Sequence, residues 1–284
     1  MPFPKAKDYH KPGQPLVPNC YGIFYALISV CYWFILSFLG VMREEALALA
    51  ASVLFGSTMG LFDDMANLPW RYKAILPVFA ALPYMVLKPS DRTTMRLLLL
   101  GIVNLGELFF ILMVPVIVTV TTNTYNQLGG LNGLESLSGL IILAGLTFAS
   151  NTFVLTWMPI VCLIVLGYLN YSGKLFIGNV GTFSIGLTLA VYAVMMNLKL
   201  FLLISLTPFI FNSILILYSN YILRDRADTL IDEKGLLYSH KVRSLRTLIL
   251  HHRHLSERQT VIIICAIVAL FTVVASIQRF ILQI

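Results

Sequence analysis

The chain has 284 residues, 58% of them hydrophobic and 12% charged, with a mean hydropathy of +0.84. A soluble domain carries about twice that charged fraction, and a globule of this size has too much surface for its volume to hide so much apolar area. A soluble fold is therefore excluded, and the excess must face lipid. The net charge of +7 is not a nucleic-acid signature, because the basic residues fall in loops between apolar runs, where the positive-inside bias accounts for them.

Long apolar runs, rather than short alternating segments, exclude a closed barrel and predict an all-α polytopic membrane protein. The first 20 or so residues are polar and proline-rich, and the apolar run after them is long enough to span, so no cleavable signal peptide is expected. Nine spans follow, at roughly 22–42, 45–62, 73–88, 107–125, 134–151, 153–170, 180–197, 199–221 and 260–280. Residues 97–103 are apolar but too short to cross, and read as an interfacial or re-entrant piece. A long loop, 223–258, precedes the last span. Neither a repeat nor a low-complexity stretch divides the chain, so 1–284 is expected to be one domain. The four cysteines, Cys20, Cys31, Cys162 and Cys265, are scattered and suggest neither a zinc site nor a disulfide framework.

Alternating sides test the orientation. With the N-terminus inside, the inner segments hold 14 of the 20 Lys and Arg residues, among them Lys5, Lys7, Lys11, Arg71, Lys73, Lys174 and those of 224–258. The outer segments hold Arg43, Lys88, Arg92, Arg96, Lys199 and Arg279. The bias predicts N-terminus in and C-terminus out. It also collects most of the chemically interesting segments on the inner face.

Four of these segments carry candidate chemistry. Asp63 and Asp64 end an apolar span and are followed by Asn67, Trp70, Arg71 and Lys73. Adjacent carboxylates repel unless a cation lies near them, so the pair reads as a magnesium ligand or a base with Lys73 aimed at phosphate. It reads equally as a solvated helix end with Trp70 as an interfacial anchor. Residues 122–135 contain Asn123, Asn126, Gly129, Gly130, Asn132, Gly133 and Glu135, a polar turn whose backbone a ligand can approach and whose amides can read a base or a sugar. Residues 176–183 include Asn179 and by themselves read as a helix entry capped by that asparagine. His251-His252-Arg253-His254 close the long loop; adjacent histidines do not converge on one ion, and with Lys241, Arg243, Arg246 and Arg258 they suit a cationic bed for phosphates or for anionic headgroups.

Taken in order, these stretches resemble the polyprenyl-phosphate N-acetylhexosamine-1-phosphate transferase superfamily, glycosyltransferase family 4. The block from Phe62 to Lys73 is similar to its aspartate-rich motif in the form found in the dolichyl-phosphate GlcNAc-1-phosphotransferase and its archaeal relatives. Residues 123–135 match the stretch ending Asn-Gly-Leu-Glu. Residues 178–181 occupy the place of a Gly-Asp segment, His251-His252 resembles a histidine motif before the last helix, and 10–18 resembles the proline-bearing loop after the first family helix. The family pattern has ten helices, and this sequence begins where the first would end.

The resemblance implies transfer of an N-acetylhexosamine 1-phosphate, GlcNAc-1-phosphate by preference, from a UDP-amino sugar to a polyprenyl or dolichyl phosphate, with release of UMP. That is the first step of lipid-linked glycan assembly, in the archaeal manner of protein N-glycosylation. Mg2+ is the implied cofactor, with Mn2+ as substitute, on Asn126 and Asn179; the second is an amide where the family has a carboxylate, which weakens a hard-cation site. Asp63, Asp64 and Lys73 take the catalytic roles. Asn67, Asn123, Gly130, Asn132, Glu135, His251, His252 and Arg253 take substrate-binding roles. A multi-pass cell-membrane location with the site on the cytoplasmic face, and a homodimer, are also implied. Two other classes remain. One is an impaired member that binds lipid or a partner, motivated by Asn179. The other is a transporter, disfavoured because the main ionisable residue within a span, Glu107, lies near its outer end rather than the midplane.

Overall fold

The computed structural model describes residues 3–90, 93–97, 101–225 and 229–281. Arg92, the middle of the 97–103 piece and Arg226 in the long loop lie outside the described residues. The chain is all-α in its core, and helical segments occupy each of the nine stretches read as spans. They are α1 (Gly22–Phe38), α2 (Arg43–Ala66), α3 (Trp70–Ala80) with α4 (Leu82–Leu87), α5 (Val114–Leu128) with a leading π-turn at Phe109–Met113, α6 (Leu134–Ser150), α7 (Trp157–Tyr171), α8 (Gly178–Met195), α9 (Lys199–Ser205) with α10 (Thr207–Leu217), and, after a six-residue α11 (Leu245–Leu250), α12 (Glu257–Ile281).

Among the described residues, four helical stretches are long and apolar enough to cross a membrane alone: α2, Phe109–Leu128, α8 and α12. The pair formed by α9 and the helical stretch Thr207–Leu223, bent by 58°, is a broken span or a re-entrant loop and makes a fifth if it crosses as one, and α1, α6 and α7 are shorter apolar helices. The protein is thus a multi-pass membrane bundle. Its breaks have a local cause. A proline lacks the N–H that would continue the ladder, but fits the first turn of a new helix. Pro83 and Pro208 stand in the first turns of α4 and α10, and the chain breaks before each, at Ala81 and Leu206.

Helix α8 is the axis of the bundle. Every residue from Val180 to Met195 is buried, which fits a helix that is apolar on all sides, and α1, α2, α5 and α6 pack around it. Helices in lipid gain by close backbone approach, which small residues permit. A Cβ at Gly60 of α2 would lie 2.5 Å from the Asn179 carbonyl oxygen, so only glycine lets α2 meet the start of α8.

The region read as interfacial or re-entrant forms part of a ribbon. Strands β3 (Thr94–Leu97) and β4 (Gly101–Asn104) pair antiparallel, with Thr94 opposite Asn104. Pairing satisfies the backbone of so short an apolar piece without a helix. The N-terminal segment also folds, as β1 (Lys5–Lys7) against β2 (Leu16–Pro18). The 223–258 loop carries a further two-residue pairing and α11, which docks on α10 through the Leu245 N–H donated to Asn212 Oδ1 at 2.9 Å.

Candidate active site

A cavity of about 460 Å³ opens where the C-terminal ends of α2 and α5 meet the N-terminal ends of α6 and α8, roofed by the β1–β2 strap and by α11. It brings together Asp64, Asn126, Gly130, Glu135 and Asn179 of the expected residues, and adds Lys7, Asp8, His10, Thr182 and Arg246.

The aspartate pair divides. Gly60 lies one turn before Asp64, and its contact with α8 carries the Asp64 carboxylate onto the open end of that helix. Oδ1 accepts the Asn179 N–H at 2.8 Å and Oδ2 the Val180 N–H at 3.0 Å. A carboxylate there suits both the unpaired amides and the positive end of the helix dipole. The cap of α8 is therefore Asp64, not Asn179 as the sequence suggested. Cys20 also faces Asp64; burial, then the neighbouring carboxylate, pushes its thiol up to about 12, so it stays protonated and donates. Asp63 turns the other way. Its Oδ1 meets Lys73 Nζ at 2.8 Å and accepts the Leu68 N–H at 2.9 Å, while its buried Oδ2 has no partner. Asp63 and Lys73 stand beside the cavity and do not line it.

The two expected metal residues are neighbours. Asn126 Nδ2 donates to Asn179 Oδ1 at 2.9 Å and to Thr182 Oγ1 at 2.7 Å. With Asp64 alongside, the donors here are all oxygens once the Asn126 amide is turned, which is the chemistry a hard divalent cation requires. Among the described residues the one carboxylate–imidazole group compact enough for an ion is Asp8, His10 and Glu257, whose ligand atoms lie within 4.8 Å of one another. That group is already compensated. Lys11 Nζ is 2.9 Å from Asp8 Oδ2, and Asn132 Nδ2 donates to Asp8 Oδ2 at 2.8 Å and to Glu257 Oε2 at 3.1 Å. Burial alone would raise the Asp8 carboxyl, but Lys11 and Asn132 together hold it below the usual carboxylate range.

The other expected residues divide by place. Glu135 Oε1 accepts the Gly130 N–H at 2.6 Å and shapes the glycine turn. Asn132 is buried and joins the strap to the start of α12 instead of lining the cavity. Asn123 donates to the Ala74 carbonyl at 3.2 Å, tying α5 to α3, and Asn67 ends α2 in the left-handed region at φ 46°. His251, His252 and Arg253 follow α11 outside the cavity wall, with the two histidine rings 3.9 Å apart. From the same loop Arg246 reaches the cavity, where its Nη1 lies 3.3 Å from His10 Nε2. Asp8 was not singled out in the sequence and His10 only as part of the 10–18 loop, whereas Arg246 was named there with the cationic loop and not as a site residue. For Asp8 there was a signal: it is the only acidic residue before Glu44 in an otherwise basic segment.

Comparison with known proteins gives the chain named relatives. A protein of Saccharolobus solfataricus is 30% identical over 96% of this chain and 87% of its own length. One of Sulfolobus acidocaldarius is 29% identical over 95% of this chain and 86% of its own. Both are provisionally named UDP-N-acetylglucosamine–dolichyl-phosphate N-acetylglucosaminephosphotransferase. A Dictyostelium discoideum protein that carries the same name without the qualifier is 27% identical over 72% of this chain and 62% of its own. The profile of glycosyl transferase family 4 matches residues 46–197, a stretch that holds Asp63, Asp64, Asn126 and Asn179. The chain belongs to glycosyl transferase family 4.

Proposed function

We propose that this protein transfers N-acetylglucosamine 1-phosphate from UDP-N-acetylglucosamine to dolichyl or a related polyprenyl phosphate, on the cytoplasmic face of the membrane, and releases UMP. The observation that carries the reading is the convergence of Asp64, Asn126 and Asn179 on one cavity at one end of an apolar bundle. A water-soluble nucleotide and a lipid tail can meet only at such an interface. The names of the relatives supply the substrates.

In this reading an oxygen of the lipid phosphate attacks the sugar-proximal phosphorus, and the bond from that phosphorus to the UMP oxygen breaks. A phosphate monoester is mostly ionised near pH 7, so positioning outweighs proton removal. Lys73, backed by Asp63 at 2.8 Å, steadies the acceptor phosphate. Asp64 fixes the start of α8 and thereby the Asn179 side chain, and Gly130 with Glu135 shapes the wall that receives the nucleotide. A Mg2+ ion on Asn126 and Asn179, or Mn2+ in its place, would screen the diphosphate charge and stabilise the leaving UMP.

Purified protein in detergent, given UDP-N-acetylglucosamine, a polyprenyl phosphate and Mg2+, should release UMP only when the lipid is present. EDTA should abolish the release, and Asp63→Asn and Asp64→Asn should each lower it by about 100-fold or more. Absence of UMP in every arm would favour the reading of an impaired member that binds lipid or a partner, to which the amide at Asn179 points.

A further inference from the structure

Among the described residues, the cationic loop before the last span sends one side chain into the cavity, and it is not one of the three given a substrate-binding role from the sequence. His251, His252 and Arg253 lie outside the wall, whereas Arg246, at the second position of α11, lies in it. We propose, on the reading of the site given above, that Arg246 receives the phosphate oxygens of the bound nucleotide and that His10 is the positioning residue that aims it.

Three observations support this. The Arg246 position is built. Ser244 caps α11 through a reciprocal bond with Thr247, and Asn212 of α10 accepts the Leu245 N–H, so the first turn that carries Arg246 is held at both ends. Its Nη1 lies 3.3 Å from His10 Nε2. Burial, then the Arg246 charge, pushes the His10 imidazole down to about 4, against a weaker opposing pull from Asp8. At neutral pH the ring is uncharged, so Nε2 can accept from Arg246 and fix the plane of the guanidinium. A guanidinium with a fixed plane presents a fork of donors matched to paired phosphate oxygens.

The second observation is the floor beside it. Gly130 has φ 106°, and a Cβ built there would stand 3.6 Å from Arg246 Nη1. The bare backbone of the turn and the guanidinium therefore form one open surface, which a side chain at this position would obstruct. The third is charge. Asp8, Asp64 and Glu135 line the cavity, and among the described residues the cations that line it are Lys7, exposed on the strap, and Arg246, half-buried in the wall. An anion held deep in the cavity needs the second. The lipid phosphate has a different cation, Lys73, which lies beside the exposed Trp70 and Tyr72 on α3. The nucleotide phosphates are thus the ligand left for Arg246.

The test is binding of UMP and of uridine to the full chain in detergent without added divalent ion, with kinetics alongside. Arg246→Gln should weaken UMP binding by about tenfold, as loss of one charge-assisted contact does, and should leave uridine binding unchanged. It should raise KM for the UDP-sugar and not for the lipid phosphate. His10→Ala should give part of the same loss, and His10→Gln, whose amide oxygen can accept from Arg246, should restore it, which a merely structural role for His10 would not do. If Arg246→Gln melts out in detergent, Arg246→Lys is the variant read, with UMP affinity between wild type and loss. Unchanged UMP affinity, an equal loss for uridine, a rise in KM for the lipid alone, or a wild-type protein that binds no UMP would each overturn the proposal. UMP binding needs no turnover, so a wild-type protein that binds UMP without releasing it in the transfer assay would sink the proposed function and leave this inference standing.

Discussion

Asp63 and Asp64 are adjacent on α2, so their side chains diverge by about 100° around the helix, and each meets a different counterpart. Asp64 accepts from backbone amides, which keeps its carboxylate at the cavity, while Asp63 faces a full charge on Lys73. The Asp63 side chain is 1% exposed and that of Lys73 28%. Removing one partner of a buried ion pair strands the other's charge at about 3–5 kcal/mol; the partial exposure of Lys73 reduces this to roughly 2 kcal/mol. Lys73→Met should therefore lower the melting temperature in detergent clearly, and adding Asp63→Asn to it should recover most of the loss while leaving transfer activity absent. If the double variant melts no higher than Lys73→Met, the pair is not what steadies this helix end. The aspartate pair was legible as a motif, and so was the proximity of Asn126 to Asn179. Which carboxylate faces which partner was not, because it depends on how α2 meets a helix more than 100 residues later in the chain.

At the scale of elements, the apolar runs were plain, since lipid-facing helices need long uninterrupted stretches and the sequence has little else. The breaks were less so. Pro77 lies inside α3 without ending it, whereas Pro83 and Pro208 open new helices, a difference set by packing and not by the residue. The strap was the least legible element. Its hairpin is three residues on each side, and its place over the cavity rests on the contacts of Asp8 and His10 with residues far along the chain. The joint between α2 and α8 is the element on which the site depends most. Gly60→Ala would place a Cβ 2.5 Å from the Asn179 carbonyl oxygen, an overpacking worth about 1–3 kcal/mol. It would also push Asp64 off the amides of α8 one turn away. Transfer should fall by more than the melting temperature suggests, with Gly60→Val worse on both counts. A Gly60→Ala protein with wild-type turnover would show that the close approach does not set the geometry of Asp64.

For the whole molecule, the cavity fixes one end of the bundle as the chemical end, and the charges predict which side of the membrane that end faces. The β1–β2 strap, the 223–258 region and the start of α12 all sit at the cavity end, through the contacts of Asp8, Asn132, Arg246 and Glu257. These segments hold most of the basic residues, and Lys and Arg concentrate on the cytoplasmic side of membrane proteins. The β3–β4 ribbon belongs to the connection that precedes α5, and α5 runs from there to the cavity at its C-terminal end. The ribbon is therefore at the far end, which the same bias predicts to lie outside. In a background with the four cysteines replaced, Lys234→Cys, at an exposed site of the long loop, should resist a membrane-impermeant maleimide in intact cells and react once the cells are opened. Thr93→Cys, beside the ribbon, should react in intact cells. The opposite labelling would put the cavity on the outer face, where a nucleotide sugar made in the cytoplasm could not reach it, and the transfer reaction would then need a donor from the other side. Equal labelling of both sites in intact cells would mean that they lie on the same side, and would overturn the odd number of crossings expected between residues 93 and 234.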